Sequence, residues 1–289
     1  MKSKKLMSLA LAFVITFSLA FTALMRGASI TKVDAATVTA TDLITAADNY
    51  LKKQKGIKIT RTTSFDSTMV VLFRQSIEGA KDPNAYKEVP AVVEAKNTTT
   101  ETIKADTGTE YSTGTNKIVS SYTIDATTVK ETQTIKSKSY VQLSKKGYAK
   151  YIYDADSKEW FKLSSTDKTY TVMQMLSTLS KANLKNLKIT KTTDTGYVVK
   201  GTLKSKTFFS NVIDTDTAIT ANVTLTFDKK TKQLKMLKIA IPGEFLTSRN
   251  GVDVNLSNIT ITYKIKGVTT AEVSVPSSVQ KNAIAVSME

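Results

Sequence analysis

The chain has 289 residues, with 41 Lys and Arg against 25 Asp and Glu, a formal net charge of +16, and neither cysteine nor histidine. These absences exclude disulfides, thiol nucleophiles, zinc thiolate sites, imidazole metal ligands and the ordinary catalytic triads. The basic balance favours weak attraction to anionic surfaces such as teichoic acids, phospholipid headgroups or acidic glycans.

An export signal is predicted over residues 1–36. Three lysines among the first five residues precede an uncharged, mostly apolar run, Leu6–Met25, and small residues follow where a signal peptidase needs them. We expect cleavage near Ala35-Ala36, although the run is also long enough to span a bilayer as an uncleaved anchor. The remaining chain, 37–289, suits a single secreted or extracellular domain, monomeric and able to associate with the cell wall. Because no cysteine follows the signal, it is not a lipoprotein.

The mature chain begins with one predicted helix and continues as strands. Thr41-Asp42 followed by LITAADNYLKKQ predicts a capped amphipathic helix with lysines at its C-terminal end. From Ile57 the apolar period changes to two, so IKITRTTSF and TMVVLFRQSI predict a hairpin with FDST as its turn. Residues 78–116, with KDPNAYKEVP and a threonine- and glycine-rich tract, predict loops and edge strands.

Strand patterns then continue to the C-terminus, interrupted by one helix. Short turns separate KIVSSYTI, VKETQTIKSKSYVQL, YAKYIY and EWFKLS, which predicts an antiparallel meander. Apolar residues at helical spacing predict a helix over 168–182. Strands resume from LKITKT to NITITYKI, and Pro276 starts a final short helix.

The order of these elements resembles a known superfamily. Its markers here are KEWFKL leading into TVMQMLSTL, then YVVKGTL, FDKKTKQLKMLKI and TAEVSVPSSV. Over residues 41–286 the chain resembles Gram-positive extracytoplasmic relatives, mostly of unknown function, of the LolA and LppX/LprG lipoprotein-carrier superfamily. The resemblance implies a mainly β fold: a strongly curved antiparallel sheet, or incomplete barrel, with helices covering the concave face and a cavity for acyl chains or other apolar ligands. The chain departs from the family in lacking a lipidated cysteine and in the length of 78–116.

The stretch YAKYIYDADSKEWFKL, residues 148–163, holds the only tryptophan and four other aromatic residues. Turn residues at 154–157 predict that the flanking segments pair as adjacent strands. The aromatic side chains then either pack the sheet or line a cavity, and the methionine and leucine stripe of 168–182 is either core or a lid over a ligand. The candidate cavity-lining residues are Tyr151, Tyr153, Trp160, Met173, Met175, Leu176 and Leu179.

No metal, cofactor or catalytic residue is predicted. Asp154, Asp156 and Glu159 lack the glycine and the distal glutamate of an EF-hand loop. The glycines form no phosphate-binding loop. A pair of carboxylates for glycan cleavage is compatible with the composition, because that chemistry needs only Asp or Glu at a suitable separation.

Three functions follow from these patterns. The first is a non-enzymatic binder of a lipid or other hydrophobic ligand, held in a large apolar cavity between curved sheet and helices. The alternative is a structural or adhesive cell-envelope protein that rests on anionic wall polymers or a membrane surface, and the less favoured third is a carboxylate-only glycan hydrolase. Nucleic acid is not an expected partner, since the lysines are spread among threonines and form no block.

Overall fold

The structure is a computed structural model. It describes residues 38–76, 86–124, 126–166, 169–204, 219–249, 252–269 and 272–286. The predicted signal peptide, with its cleavage site, lies outside the described residues. Those described form a mainly β domain built on one large, open, curved sheet. Among them, no helix has the length and apolar character needed to cross a membrane.

The described residues form thirteen strands, three α-helices and one 3-10 turn. The helical elements are α1 (Ala40–Lys52), α2 (Val172–Leu176), the 3-10 turn Leu179–Lys181 and α3 (Ser277–Asn282). The strands are β1 (Gly56–Ser76), β2 (Tyr86–Ala105), β3 (Thr109–Ile124), β4 (Thr127–Ser144), β5 (Gly147–Asp154), β6 (Glu159–Ser165), β7 (Asn183–Thr192), β8 (Gly196–Lys204), β9 (Thr220–Asp228), β10 (Leu234–Ile241), β11 (Phe245–Arg249), β12 (Val252–Thr269) and β13 (Ile284–Val286).

The strands join in the order β13-β6-β5-β4-β3-β2-β1-β12-β10-β9-β8-β7, and β11 pairs with β12. Neighbours in this order are antiparallel except β13, which runs parallel to β6. The meander predicted for β3 to β6 is therefore confirmed. The sheet does not close, which agrees with the incomplete barrel that the family resemblance implies.

The helix α1 forms where the sequence predicts it, but it begins earlier. Its N-cap is Thr39, whose hydroxyl accepts the Asp42 N–H at 3.1 Å, while the Asp42 carboxylate accepts the Thr39 N–H at 3.0 Å. This reciprocal capping box satisfies two backbone donors at the start of the helix. Leu43 and Leu51 on the inner side of α1 are buried.

Two local predictions are wrong. FDST, residues 65–68, forms no turn, because β1 runs through it with only a shift of register between Ser64 and Asp66. Residues 78–116 were expected to be loops and edge strands, yet β2 and β3 take up most of this segment and lie inside the sheet. Threonine is β-branched and suits a strand once neighbours on both sides satisfy its backbone hydrogen bonds.

The concave face of the sheet carries the main apolar core. Paired positions along the sheet, such as Ile59 with Ile103 and Leu237 with Leu225, are fully buried. The helix α1 packs against the 3-10 turn, β7 and α2. Of the helix predicted over 168–182, only α2 is α-helical and the 3-10 turn follows it, while residues 167 and 168 lie outside the described part.

Candidate ligand-binding cavity

A cavity of about 400 Å³ lies between the concave face of the sheet and the segment that leads into α2. Its lining combines charged, hydroxyl-bearing and apolar side chains. The charged groups are Arg61, Glu101, Glu110 and Lys150. The apolar and aromatic walls include Phe65, Val141, Tyr148, Tyr170, Val172 and Met175. The lipid-binding hypothesis, which rests on the family resemblance, predicted a large apolar cavity, whereas the observed one is modest in volume and has charges in its lining.

An ion pair joins two adjacent strands inside this cavity. Arg61 of β1 lies opposite Glu101 of β2, and its Nε donates to Glu101 Oε2 at 2.8 Å while the Nη2–Oε2 distance is 2.7 Å. Gly114 lies opposite Glu101 on β3, where a Cβ atom would stand 2.6 Å from the Glu101 Cγ. The glycine therefore leaves room for the glutamate side chain beside Arg61.

Glu110 is the second carboxylic acid of the cavity. Its Oε2 accepts the backbone N–H of Val172 at 2.9 Å, which links β3 to the first residue of α2. Burial raises the pKa of Glu110, although the nearby Arg61 and the Val172 hydrogen bond act in the opposite direction. Burial also raises the pKa of Tyr263, which lies opposite Arg61 on β12. The cavity thus favours the protonated form of Glu110.

The segment over the cavity is held by hydrogen bonds at Asp106. The Thr171 hydroxyl donates to the Asp106 backbone carbonyl at 2.6 Å. The Asp106 carboxylate accepts backbone N–H groups of Gly108, Thr109 and Val273 at 2.7, 2.6 and 2.8 Å. One buried residue therefore fixes the β2–β3 turn, the start of α2 and the chain before α3 relative to one another.

Of the seven side chains predicted to line a cavity, only Met175 lines this one. Met173, Leu176 and Leu179 are at most 1% exposed and belong to the packed core between the helical elements and the sheet. They are neighbours of Met175 in the chain, but they are not in the cavity lining.

The predicted aromatic residues lie on the opposite, convex face. The predicted strand pairing is confirmed, with Tyr153 opposite Trp160 and Tyr151 opposite Lys162. Side chains of successive residues point to opposite faces of a sheet. Since Ser139 lines the cavity and pairs with Ile152, the adjacent Tyr151 must face away from it.

On the convex face these aromatic side chains form a small separate core with the C-terminal segment. Tyr151, Val275 and Val279 are buried there, and Tyr140 and Trp160 pack against them. The ring centroids of Tyr140 and Trp160 are 5.5 Å apart. The short helix α3 begins directly after Pro276, as the sequence predicts. A ligand-binding role for Tyr151, Tyr153 and Trp160 stays a prediction.

The sequence analysis did not single out Arg61, Glu101 or Glu110. Each lies in a strand where polar residues alternate with threonine or apolar residues, a pattern typical of a solvated face. The one sequence feature that pointed to these residues is the presence of a charged residue among apolar ones in ITRTTSF and TETIKA. This feature does not show which face of the sheet turns inward. Among the described residues, no group of three or more acidic side chains could hold a metal ion.

Comparisons with known proteins give a distant structural likeness. No family model matches the chain, and no curated protein matches it. Among solved structures, the chain is similar to the lipoprotein LppX of Mycobacterium tuberculosis, with a TM-score of 0.33 and 9% sequence identity. The match covers 80% of this chain and 98% of that one.

Proposed function

We propose that this chain is a non-enzymatic binding protein for a small amphiphile, held in the cavity between the curved sheet and α2. The observation that carries the proposal is the composition of the cavity lining. Arg61, Lys150 and Glu110 lie in the same space as Phe65 and Met175. Such a mixture suits a ligand with one polar end and one apolar end.

The volume of the cavity limits the ligand. Small-molecule pockets range over about 300–1,000 Å³, and 400 Å³ is near the lower end. This favours one short acyl chain or a molecule of similar size over a diacyl lipid. Each methylene group buried against the apolar walls would contribute about 0.8 kcal/mol to binding.

The charges favour an anionic or hydrogen-bonding head. Arg61 is paired with Glu101, and burial favours the neutral form of Glu110, so Lys150 adds a positive charge to the lining. A ligand carboxylate near Lys150 would gain a charge-assisted hydrogen bond.

Binding of dodecanoate and of dodecyltrimethylammonium, measured by titration calorimetry, tests the proposal. We expect saturable binding of dodecanoate, tighter than that of the cationic amphiphile. Val141→Trp, which fills the cavity from β4, should abolish the binding, whereas Val119→Trp on the exposed convex side of β3 should not. No saturable binding of either amphiphile, or equal binding by both variants, would overturn the proposal.

The same cavity supports a second candidate, the glycan hydrolase. Glycosidases use two carboxyl groups, one protonated and one ionised. Glu110, with its raised pKa, and the Arg61-paired Glu101 both line the cavity. Release of reducing sugar from purified wall polysaccharide, lost in Glu110→Gln, would establish this activity, and its absence in the wild type would remove the candidate.

A further inference from the structure

A row of hydroxyl and ammonium groups crosses the convex face of the sheet. Residues directly opposite each other on antiparallel strands point to the same face, so the pairing register identifies the row. From β4 to β1 its members are Lys136, Thr115, Thr100 and Thr62.

The row continues without a break on the other side of β1. From β12 to β7 its members are Thr262, Lys238, Thr224, Lys200 and Lys188. None of the side chains in the row is buried, and all four lysines are exposed. With strands about 4.8 Å apart, the row extends for about 38 Å.

The rows on either side also carry lysine, threonine and serine, although they include the apolar residues Met236, Val198 and Ala240. One contains Lys138, Thr113, Thr102, Thr60 and Lys264, and the other contains Lys117, Thr98, Ser64 and Thr260. Between β4 and β7 the described members of these three rows include no aspartate or glutamate. We call these three rows the lysine–threonine face.

An acid-free surface of this kind complements a polyanion. Lysine binds phosphate as a point charge, and threonine hydroxyls donate to phosphate oxygens. Each exposed contact is weak, but a polymer that follows the rows makes several at once. The separate lysine clusters, at β4 and at β10 to β7, are joined by threonines rather than interrupted by negative charge.

The curvature of the sheet selects among polyanions. A flat membrane or a stiff duplex touches a convex surface only locally, whereas a flexible chain can bend along it. We propose that the lysine–threonine face docks a flexible phosphodiester polymer of the poly(glycerol phosphate) type. This inference goes beyond the proposed function and concerns the opposite face of the sheet, so either can fail without the other.

The test compares two variants with the same loss of charge. Lys136→Gln/Lys200→Gln/Lys238→Gln removes three lysines of the central row. Lys145→Gln/Lys146→Gln/Lys230→Gln removes three exposed lysines from turns outside the face. Binding of the full chain to poly(glycerol phosphate) is measured at several salt concentrations, with far-UV circular dichroism confirming that both variants are folded.

At low salt, we expect the row variant to bind poly(glycerol phosphate) at least about tenfold more weakly than the wild type. The slope of log K against the logarithm of the salt concentration should become smaller in magnitude by about 2. The turn variant should bind like the wild type. Equal losses in the two variants would show attraction by net charge alone and would overturn the proposal. Tighter binding to double-stranded DNA or to anionic phosphatidylglycerol vesicles than to poly(glycerol phosphate) would overturn it as well.

Discussion

Asp48 of α1 accepts two hydrogen bonds from Ser180 in the 3-10 turn, although the two residues are 132 positions apart in the chain. Its Oδ2 accepts the Ser180 backbone N–H at 2.9 Å and also the Ser180 hydroxyl. Asp48 is 1% exposed. The first helix and the end of the segment over the cavity are therefore held to each other by one buried carboxylate.

Asp48→Ala should destabilise the protein by about 1–3 kcal/mol, because it removes a buried carboxylate that accepts two hydrogen bonds from Ser180. Asp48→Asn retains one acceptor and should lose less. Lys52→Ala serves as the control, since its Nζ lies 4.0 Å from Asp48 Oδ2 and its side chain is 45% exposed. Lys52→Ala should lower the free energy of unfolding by less than about 0.5 kcal/mol. Urea unfolding measures all three, and equal losses for Asp48→Ala and Lys52→Ala would contradict the assignment.

The Arg61–Glu101 pair predicts strong coupling between two substitutions. Arg61→Met alone leaves the largely buried Glu101 without its cation and should cost about 2 kcal/mol. Arg61→Met/Glu101→Leu replaces both charges with apolar groups and should recover most of that loss. The coupling energy is measured from the free energies of unfolding in a double-mutant cycle. Additive effects would show that the pair contributes no net interaction.

Glu110 should make stability fall as the pH rises. Its pKa is raised in the folded protein, so the folded state holds the proton more tightly than the unfolded state does. Burial of Glu110 does not lower stability while the carboxyl is protonated in both the folded and the unfolded state. Stability is lost as the pH increases from the ordinary glutamate pKa of 4.5 through the raised pKa of the folded state. Glu110→Gln removes this titration and can still accept the Val172 N–H.

The difference in Tm between Glu110→Gln and the wild type, followed from pH 3.5 to 8, checks this prediction. The variant should gain stability relative to the wild type as the pH increases across this window. A constant difference, or one that changes in the opposite direction, would show that burial does not control the titration of Glu110.

Val279→Ala should loosen the small core on the convex face. Val279 is 7% exposed and packs with Tyr151, so losing its two methyl groups should cost about 1–2 kcal/mol. Trp160 is the only tryptophan and packs against the same core, so its fluorescence should shift to longer wavelength as α3 loosens. Val286→Ala, at a residue 42% exposed on β13, should leave the emission unchanged.

Part of the local structure could be predicted from the sequence. The turn at 154–157 and the alternation around it were enough to pair Tyr153 with Trp160, because both strands lie within a few residues of the turn. The helix α1 and the start of α3 were also predictable, from apolar residues at helical spacing and from Pro276, but the N-cap of α1 is Thr39 and not the predicted Thr41-Asp42.

The cavity could not be predicted in the same way. Arg61 and Glu101 are 40 residues apart in the chain and come into contact only because β1 pairs with β2. The threonine-rich alternation on both strands does not indicate which face of the sheet turns inward. Gly114 lies in the threonine- and glycine-rich tract that was predicted to form loops and edge strands, and its lack of a side chain makes room for Glu101. The relevant information is the register between distant strands, which no single stretch of sequence contains.

The strand β7 ends the described sheet and would offer its unpaired backbone groups to a second molecule. Its register with β8 shifts between Lys185 and Lys188 and again between Ile189 and Lys191, and the three lysines are exposed. Irregular spacing and repeated positive charge both oppose the addition of a further strand. An open sheet can in this way avoid growing into fibres without having to close into a ring.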